Sequence, residues 1–353
     1  MKSVDQRPED STSKTDRLIG CLIGSAVGDS ILLPSEGLSR TVVSRRFSGP
    51  LRQRLLFGRG MISDDTEHAF LTAQSLLSGG EDSRRFARHL AGRLRWWLLA
   101  LPGGCGRATG LGILRLWCGI SPERSGIRSA GNGPAMRAAI IGLRWAQDHT
   151  QRIAFITAST NMTHRDPQAL SAALAVAEAA AWIASQGESA ALWDAWERCG
   201  NDPTWNDSVA LLRRSLADGS TVDELAIRLG CSQRVSGYAM HSVPVALYAW
   251  LRHRHDPETG IAALLRCGGD TDTMAAIAGA LFGADDGEAV FPASWVSRIC
   301  EWPISPQRLR AAGTAIAHDK NRAVFWAWPV LPMRNLVFLV IVIGHGIRRL
   351  WPW

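Results

Sequence analysis

The sequence has no Cys-x-x-Cys pair among its seven cysteines, which are scattered along 353 residues. Cysteine-ligated structural zinc sites and dithiol redox motifs typically use such a pair, and an odd number of cysteines does not fit a complete set of internal disulfides. We therefore expect reduced thiols in a cytoplasmic protein that has no structural zinc.

An apolar core of the kind found in signal peptides is missing from the first fourteen residues, which are polar and charged. We expect residues 1–14 to form a disordered tail. Residues 15–320 show no break in composition, so they are predicted to form one domain.

Long hydrophobic runs are scarce, and the one at Leu336–Gly344 has only nine apolar or small residues. A bilayer-spanning helix needs ~20. Residues 321–353 are predicted to form an apolar helical extension that ends in arginine and tryptophan. The favoured interpretation is a buried helix, and the alternative is peripheral attachment of residues 336–353 to a membrane.

Strict alternation of apolar and polar residues is also hard to find, and this disfavours strands. Apolar residues recur instead at helical spacing, beginning with Leu18, Ile19, Leu22, Ile23, Ala26 and Val27. The prediction is an all-α protein, a compact single-domain orthogonal helical bundle.

Acidic residues are outnumbered, and the net charge of +7 is largely due to arginine. Six arginines lie between Ser39 and Gly60, where they could attract phosphates or an acidic protein, or simply line a solvated loop. Aromatic residues are not interleaved with them as on a platform for single-stranded nucleic acid, so no nucleic-acid partner is expected.

Glycine recurs every four residues at Gly20, Gly24 and Gly28. One face of this predicted helix therefore carries almost no side chains, and a second backbone can approach it closely. Such a helix suits the centre of a bundle.

Oxygen-bearing side chains are concentrated in two short segments, Gly268–Thr273 and Ser63–Thr66, each just before an apolar helical run. Read alone, Asp270 could simply cap a helix. Two adjacent aspartates, Asp64 and Asp65, cannot both cap one helix, and their mutual repulsion favours a bound cation. Carboxylates from two remote segments suit a centre with two hard cations such as Mg²⁺ or Mn²⁺.

The sequence resembles the ADP-ribosylglycohydrolase family in five motifs that follow one another in the family's order. They cover most of residues 15–290: Gly20–Asp29 followed by Glu36, Ser63–Thr66, Gly131–Arg137, Thr163–Ala169 and Gly268–Thr273. Ser63 replaces the usual threonine and keeps its hydroxyl.

This resemblance implies an all-α fold around a central dinuclear site for two Mg²⁺ or Mn²⁺ ions. The implied metal ligands are Ser63, Asp64, Asp65, Asp270, Asp272 and Thr273. It also implies removal of ADP-ribose from a protein side chain, by hydrolysis of the glycosidic bond at C1 of the distal ribose. Arginine is the expected acceptor, and the target could be a protein modified by an ADP-ribosylating toxin or transferase.

The resemblance further implies roles for individual residues. Glu36, Asp65 and Asp270 are the candidates for proton transfer. Gly131, Asn132 and Gly133 precede a helix predicted to begin at Pro134, and they are expected to hold the diphosphate, with His164 also contacting ADP-ribose.

Two alternatives remain beside the hydrolase. One is a non-catalytic protein of the same fold that binds ADP-ribose or blocks a partner. The other is a two-metal phosphohydrolase, which the absence of a histidine–aspartate metal pattern disfavours.

Overall fold

A computed structural model describes residues 12–200 and 202–350, with side chains up to residue 347. The predicted tail therefore lies almost wholly outside the described residues, as do the side chains of residues 348–353. In the described ranges the regular elements are eighteen α-helices and four short 3₁₀-helices, without a strand, so the all-α prediction is confirmed.

The first nine α-helices lie in residues 14–185 and the other nine in residues 189–350. In chain order they are α1 Lys14–Leu32, α2 Arg40–Arg46, α3 Asp64–Gly79, α4 Ser83–Leu99, α5 Arg107–Trp117, α6 Pro122–Ser125, α7 Ala139–Arg144, α8 His149–Asn161, α9 Pro167–Ser185, α10 Ser189–Glu197, α11 Pro203–Ala217, α12 Val222–Arg228, α13 Ala239–Arg252, α14 Pro257–Cys267, α15 Thr271–Asp286, α16 Ala293–Ser297, α17 Pro306–Ala317 and α18 Leu331–Leu350. The 3₁₀-helices are Leu33–Ser35, Ala135–Arg137, Glu288–Val290 and Trp328–Val330.

Local sequence signals explain where several helices begin. Asp166 caps α9 by accepting from the Gln168 amide, and α9 begins at Pro167 as expected. Thr221 and Glu224 form the expected capping box at α12. The helix predicted to begin at Pro134 is only a three-residue 3₁₀ turn, and α7 follows it.

The centre of the bundle is the pair α1 and α15, and their backbones touch. A Cβ atom on Gly20 would lie 2.0 Å from the carbonyl oxygen of Gly283, and one on Gly24 would lie 2.0 Å from that of Gly279. Near the end of α1, a Cβ on Gly28 would lie 1.9 Å from the carbonyl oxygen of Ala275. The close approach predicted from the glycine spacing is therefore confirmed.

The C-terminal helix α18 corrects the expectation of a buried helix. Within the described residues, three helical segments are long and apolar enough to cross a membrane, Lys14–Ser35, Pro167–Ser185 and Trp328–Ile347. The first two are 94% and 78% buried, whereas the third is only 22% buried, because just one side of it packs on the bundle. A buried helix and an exposed helix can carry the same run of apolar residues, so the sequence alone could not distinguish the two.

Candidate metal centre

Asp29 occupies the last turns of α1 and is fully buried. Its Oδ2 atom accepts hydrogen bonds from the Ser63 amide at 2.9 Å and from the Thr66 hydroxyl at 2.5 Å. Its Oδ1 atom is buried without a hydrogen-bond partner. Asp29 therefore joins α1 to the start of α3 and turns one free oxygen toward the centre.

Asp65 comes from the first turn of α3. Ser63 caps this helix, because its Oγ accepts from the Asp65 amide at 3.2 Å, so the hydroxyl predicted to bind metal serves as a helix cap here. Asp65 Oδ2 accepts from the Thr273 hydroxyl at 3.1 Å, and its Oδ1 is buried without a partner. Asp64 is only partly buried and lies against the loop at Gly104.

Asp272 is supplied by the first turn of α15, and its Oδ1 is again buried without a partner. The turn before it needs glycine. Gly269 has a φ of +84°, and a Cβ there would lie 1.8 Å from the Val235 carbonyl oxygen. Asp270 stands at the N-cap position but makes no side-chain capping hydrogen bond, so its carboxylate is not used to cap α15.

Asp29, Asp65 and Asp272 meet in space, with carboxylate oxygens within 4.8 Å of one another. Each of the three has a buried oxygen that lacks a hydrogen-bond partner. Buried carboxylates are costly unless a cation or hydrogen bonds compensate them. Oxygen ligands of this kind fit a hard divalent cation such as Mg²⁺ or Mn²⁺.

The pKa values of these carboxyl groups rise in the protein without metal. Burial raises the pKa of Asp29 to about 6, although the hydrogen bonds from Thr66 and Ser63 oppose the rise. Burial, and then repulsion from neighbouring carboxylates, holds the pKa values of Asp65 and Asp272 well above their ordinary range. A cation in their midst would relieve the same repulsion.

Asp270 and Glu36 border this cluster. The Asn132 side-chain amide donates to Asp270 Oδ2 at 2.5 Å, and this fixes the carboxylate. Glu36 is exposed on a loop that backbone hydrogen bonds of 2.8 and 2.7 Å tie to Gly269, through Gly37 and Leu38. Its charge contributes to the raised pKa of Asp272, so the loop brings Glu36 near the cluster.

The predicted ADP-ribose-binding residues lie together beside Asp270. A Cβ on Gly131 would lie 2.9 Å from the His164 ring, and one on Gly133 would lie 3.1 Å from it. His164 is buried, and burial lowers its pKa to about 3, so it is neutral at physiological pH. The backbone N–H of Asn132 already donates to the Gly237 carbonyl at 3.0 Å, so it is not a free donor for a diphosphate.

Sequence reasoning missed Asp29 as a ligand candidate, although it recognised the motif that contains it. A carboxylate directly after a glycine-faced helical stretch is the signal that could have drawn attention to it. Asp64, by contrast, was predicted to bind metal, yet it does not join the three-carboxylate cluster in the described residues.

Most of the chain is similar to several known proteins. The sequence model described as ADP-ribosylglycohydrolase matches residues 10–323. An uncharacterized protein of Archaeoglobus fulgidus is 31% identical over 291 residues, covering 76% of this chain and 87% of its own. ADP-ribosylhydrolase ARH3 of Gallus gallus is 27% identical, with 81% of this chain and 89% of its own covered.

The fold has solved relatives as well. A chain described as an ADP-ribosylglycohydrolase-related protein complex superposes with a TM-score of 0.65 at 26% identity, over 87% of this chain and 99% of that one. The expected family resemblance is confirmed over nearly the whole sequence, and family members are metal-dependent hydrolases. This chain belongs to the ADP-ribosylglycohydrolase family.

Proposed function

We propose that the protein removes ADP-ribose from a modified protein side chain by hydrolysing the glycosidic bond at C1 of the distal ribose. The observation that carries the proposal is the cluster of Asp29, Asp65 and Asp272, whose carboxylate oxygens lie within 4.8 Å of one another. Each of these carboxylates also has a buried oxygen without a hydrogen-bond partner. We further propose that the cluster holds two divalent cations, Mg²⁺ or Mn²⁺, with Asp270 as an additional ligand.

Divalent cations held there would orient ribose hydroxyls and lower the pKa of a water molecule. Neighbouring side chains of the protein would orient the carboxylates. Asn132 holds the Asp270 carboxylate in one orientation through its 2.5 Å hydrogen bond. Thr273 orients Asp65 in the same way.

Glu36 is our preferred proton acceptor, because it is near the cluster and also exposed to solvent. A general base must exchange its proton with bulk water between turnovers, and the buried aspartates reach solvent less readily. Asp65 and Asp270 remain the other candidates for this role.

For the acceptor we propose arginine, the side chain that the family resemblance of the sequence led us to expect. We also propose that the protein acts in the cytoplasm, where it could reverse modification by an ADP-ribosylating toxin or transferase. All seven cysteines are unpaired in the structure, which is compatible with a reducing compartment.

The test is release of free ADP-ribose from ADP-ribosylarginine, ADP-ribosylserine and O-acetyl-ADP-ribose, with Mg²⁺ and with chelator. The wild-type protein should act on at least one substrate only when metal is present, and Asp270→Asn should lose most of this activity. The exposed Asp207 on α11 provides the control Asp207→Asn, which should keep full activity. Tight ADP-ribose binding without turnover would instead support a non-catalytic binding protein.

A further inference from the structure

The outer side of α18 is an uninterrupted apolar stripe. Exposed aliphatic and thioether side chains follow one another at helical spacing, at Met333, Leu336, Val337, Val340, Ile343 and Ile347. The family match ends at residue 323, so α18 lies beyond it. A helix that is apolar on all sides is stable in water only when every side is covered.

The opposite side of α18 is attached to the bundle. Buried Arg334 pairs with Glu67 at 3.1 Å and with Glu301 at 2.7 Å. Phe338 is also buried, in a small cluster with Leu33, Leu55 and Met61. The N-terminal half of α18 is therefore fixed along the protein surface, and the helix cannot stand upright in a bilayer without breaking these buried ion pairs.

Exposed tryptophans extend the stripe beyond α18. The Trp96 ring lies 5.6 Å from that of Trp328, which precedes α18, and 5.9 Å from that of Trp117 at the end of α5. We call these three residues the aromatic cluster. The side-chain amide of Asn335 donates to the Ala100 carbonyl at 2.8 Å, which connects α18 to α4 beside the 79% exposed side chain of Leu101.

The two segments of the chain that supply this face carry charge of one sign. Residues 83–122 and 320–353 contain no aspartate or glutamate, whereas both carry several arginines. Arg88, Arg107 and Arg115 are exposed on α4 and α5. Tryptophan and arginine bordering an aliphatic stripe are typical of surfaces that rest at the headgroup level of a membrane.

We propose that α18 and the aromatic cluster dock on an anionic lipid bilayer, with α18 lying parallel to the membrane plane. The aliphatic stripe would enter the boundary with the acyl chains, and the surrounding arginines would meet the lipid phosphates. A protein interface would be expected to offer polar groups between the apolar ones, and the stripe has none between Asn335 and His345.

Docking would also bring the membrane near Asp64, which directly precedes Asp65 of the three-carboxylate cluster. Phe338 of α18 packs against Gly103, and the next residue, Gly104, packs against Asp64. Taken with the proposed function, on which this step rests, the arrangement favours modified proteins held at the membrane surface as substrates.

The experiment is co-sedimentation of the full-length protein with vesicles of phosphatidylcholine alone or with phosphatidylglycerol added. We expect binding to the anionic vesicles that falls when salt is raised from about 0.1 M to about 1 M, as screening shortens the range of the attraction. Val340→Asp and Ile343→Asp, made separately at exposed positions, should each weaken binding by about tenfold or more.

The matched control is Ile227→Asp, which changes an exposed isoleucine of α12 away from this face and should leave vesicle binding unchanged. Circular dichroism would confirm that every variant is folded. Absence of binding, or equal binding by all four proteins, would overturn the proposal. So would a wild-type dimer in lipid-free solution that Val340→Asp converts to monomer, because a second copy would then cover the stripe. Because no substrate is present, a negative result leaves the proposed hydrolase activity untouched.

Discussion

Asp29 combines two tasks in one side chain. One oxygen organises the start of α3 by accepting from Ser63 and Thr66, and the other is buried without a partner. The carboxylate as a whole lies beside those of Asp65 and Asp272. Such a residue should matter more for metal binding than for folding, because its unpartnered oxygen contributes repulsion to the protein without metal.

We expect Asp29→Asn to reduce Mg²⁺ or Mn²⁺ affinity by about 10- to 100-fold or more, and hydrolysis with it. The melting temperature of the Asp29→Asn variant in chelator should equal the wild-type value or exceed it. The new side-chain amide oxygen can still accept from Ser63, and the buried charge of the Asp29 carboxylate is removed. Calorimetric metal titration and thermal melting separate the two effects. A variant that binds metal normally would remove Asp29 from the site.

The raised pKa values predict how stability depends on pH when metal is absent. Between the unfolded pKa of an aspartate, about 3.9, and the folded pKa of Asp29, about 6, the native state binds more protons than the unfolded state. The contribution of Asp29 to the free energy of unfolding should therefore decrease as pH rises through this window, and the contributions of Asp65 and Asp272 should decrease at higher pH values. Urea unfolding in chelator at a series of pH values measures the free energy of unfolding, and added Mg²⁺ should abolish this decrease with pH. Comparison with Asp29→Asn isolates this contribution from that of buried His164, whose lowered pKa acts in the opposite sense. A wild-type free energy of unfolding that rises with pH relative to that of the variant would contradict the assignment.

At the scale of elements, the metal-centre carboxylates lie on helix starts and ends that the backbone contact of α1 with α15 brings together. Asp29 directly follows Gly28, whose missing side chain lets α1 touch α15 at Ala275. Asp272 lies in the first turn of α15, less than one turn before that contact. The small residues thus determine how close the carboxylates come.

Gly24→Ala should destabilise the protein by about 2–4 kcal/mol or prevent folding, since its Cβ would lie 2.0 Å from the Gly279 carbonyl oxygen. The matched control is Gly92→Ala in α4, where a Cβ meets nothing within 4 Å. That change should stabilise α4 by about 0.5–1 kcal/mol. Equal effects of the two substitutions on the free energy of unfolding would contradict the close-packing interpretation.

Arg334 joins α18 to α3 through Glu67, whose pKa is raised to about 7 by burial despite the ion pair. Arg334→Met should cost about 3–5 kcal/mol at pH 8, because Glu67 and Glu301 would remain buried without a counter-charge. The loss should be smaller at pH 5, where both carboxyl groups can take up protons. Denaturant unfolding at the two pH values tests this, and a loss independent of pH would point to packing alone.

At the scale of the whole molecule, the sequence was sufficient for the helical class, the family and the acidic segments. Asp65 and Asp272 could be found because each lies in a short acidic segment, and the two segments read together indicate a cation site. Asp29 was missed, because its role arises only where the end of α1 meets the start of α3, 34 residues later. The exposure of α18 escaped prediction for a related reason. The spacing of apolar residues shows that one side of a helix favours burial. Whether other helices of the bundle bury that side depends on tertiary packing.

The contact between α1 and α15 also bears on which ion the protein can select. Two helices whose backbones already touch cannot be pushed closer, and their packing resists being drawn apart, so the spacing of Asp29 and Asp272 is nearly fixed. A small cation with ligand distances of about 2.0–2.1 Å tolerates a rigid frame, whereas Ca²⁺ needs about 2.3–2.6 Å and more ligands. We expect this close contact between α1 and α15 to favour small cations, so that Mg²⁺ and Mn²⁺ bind more tightly than Ca²⁺.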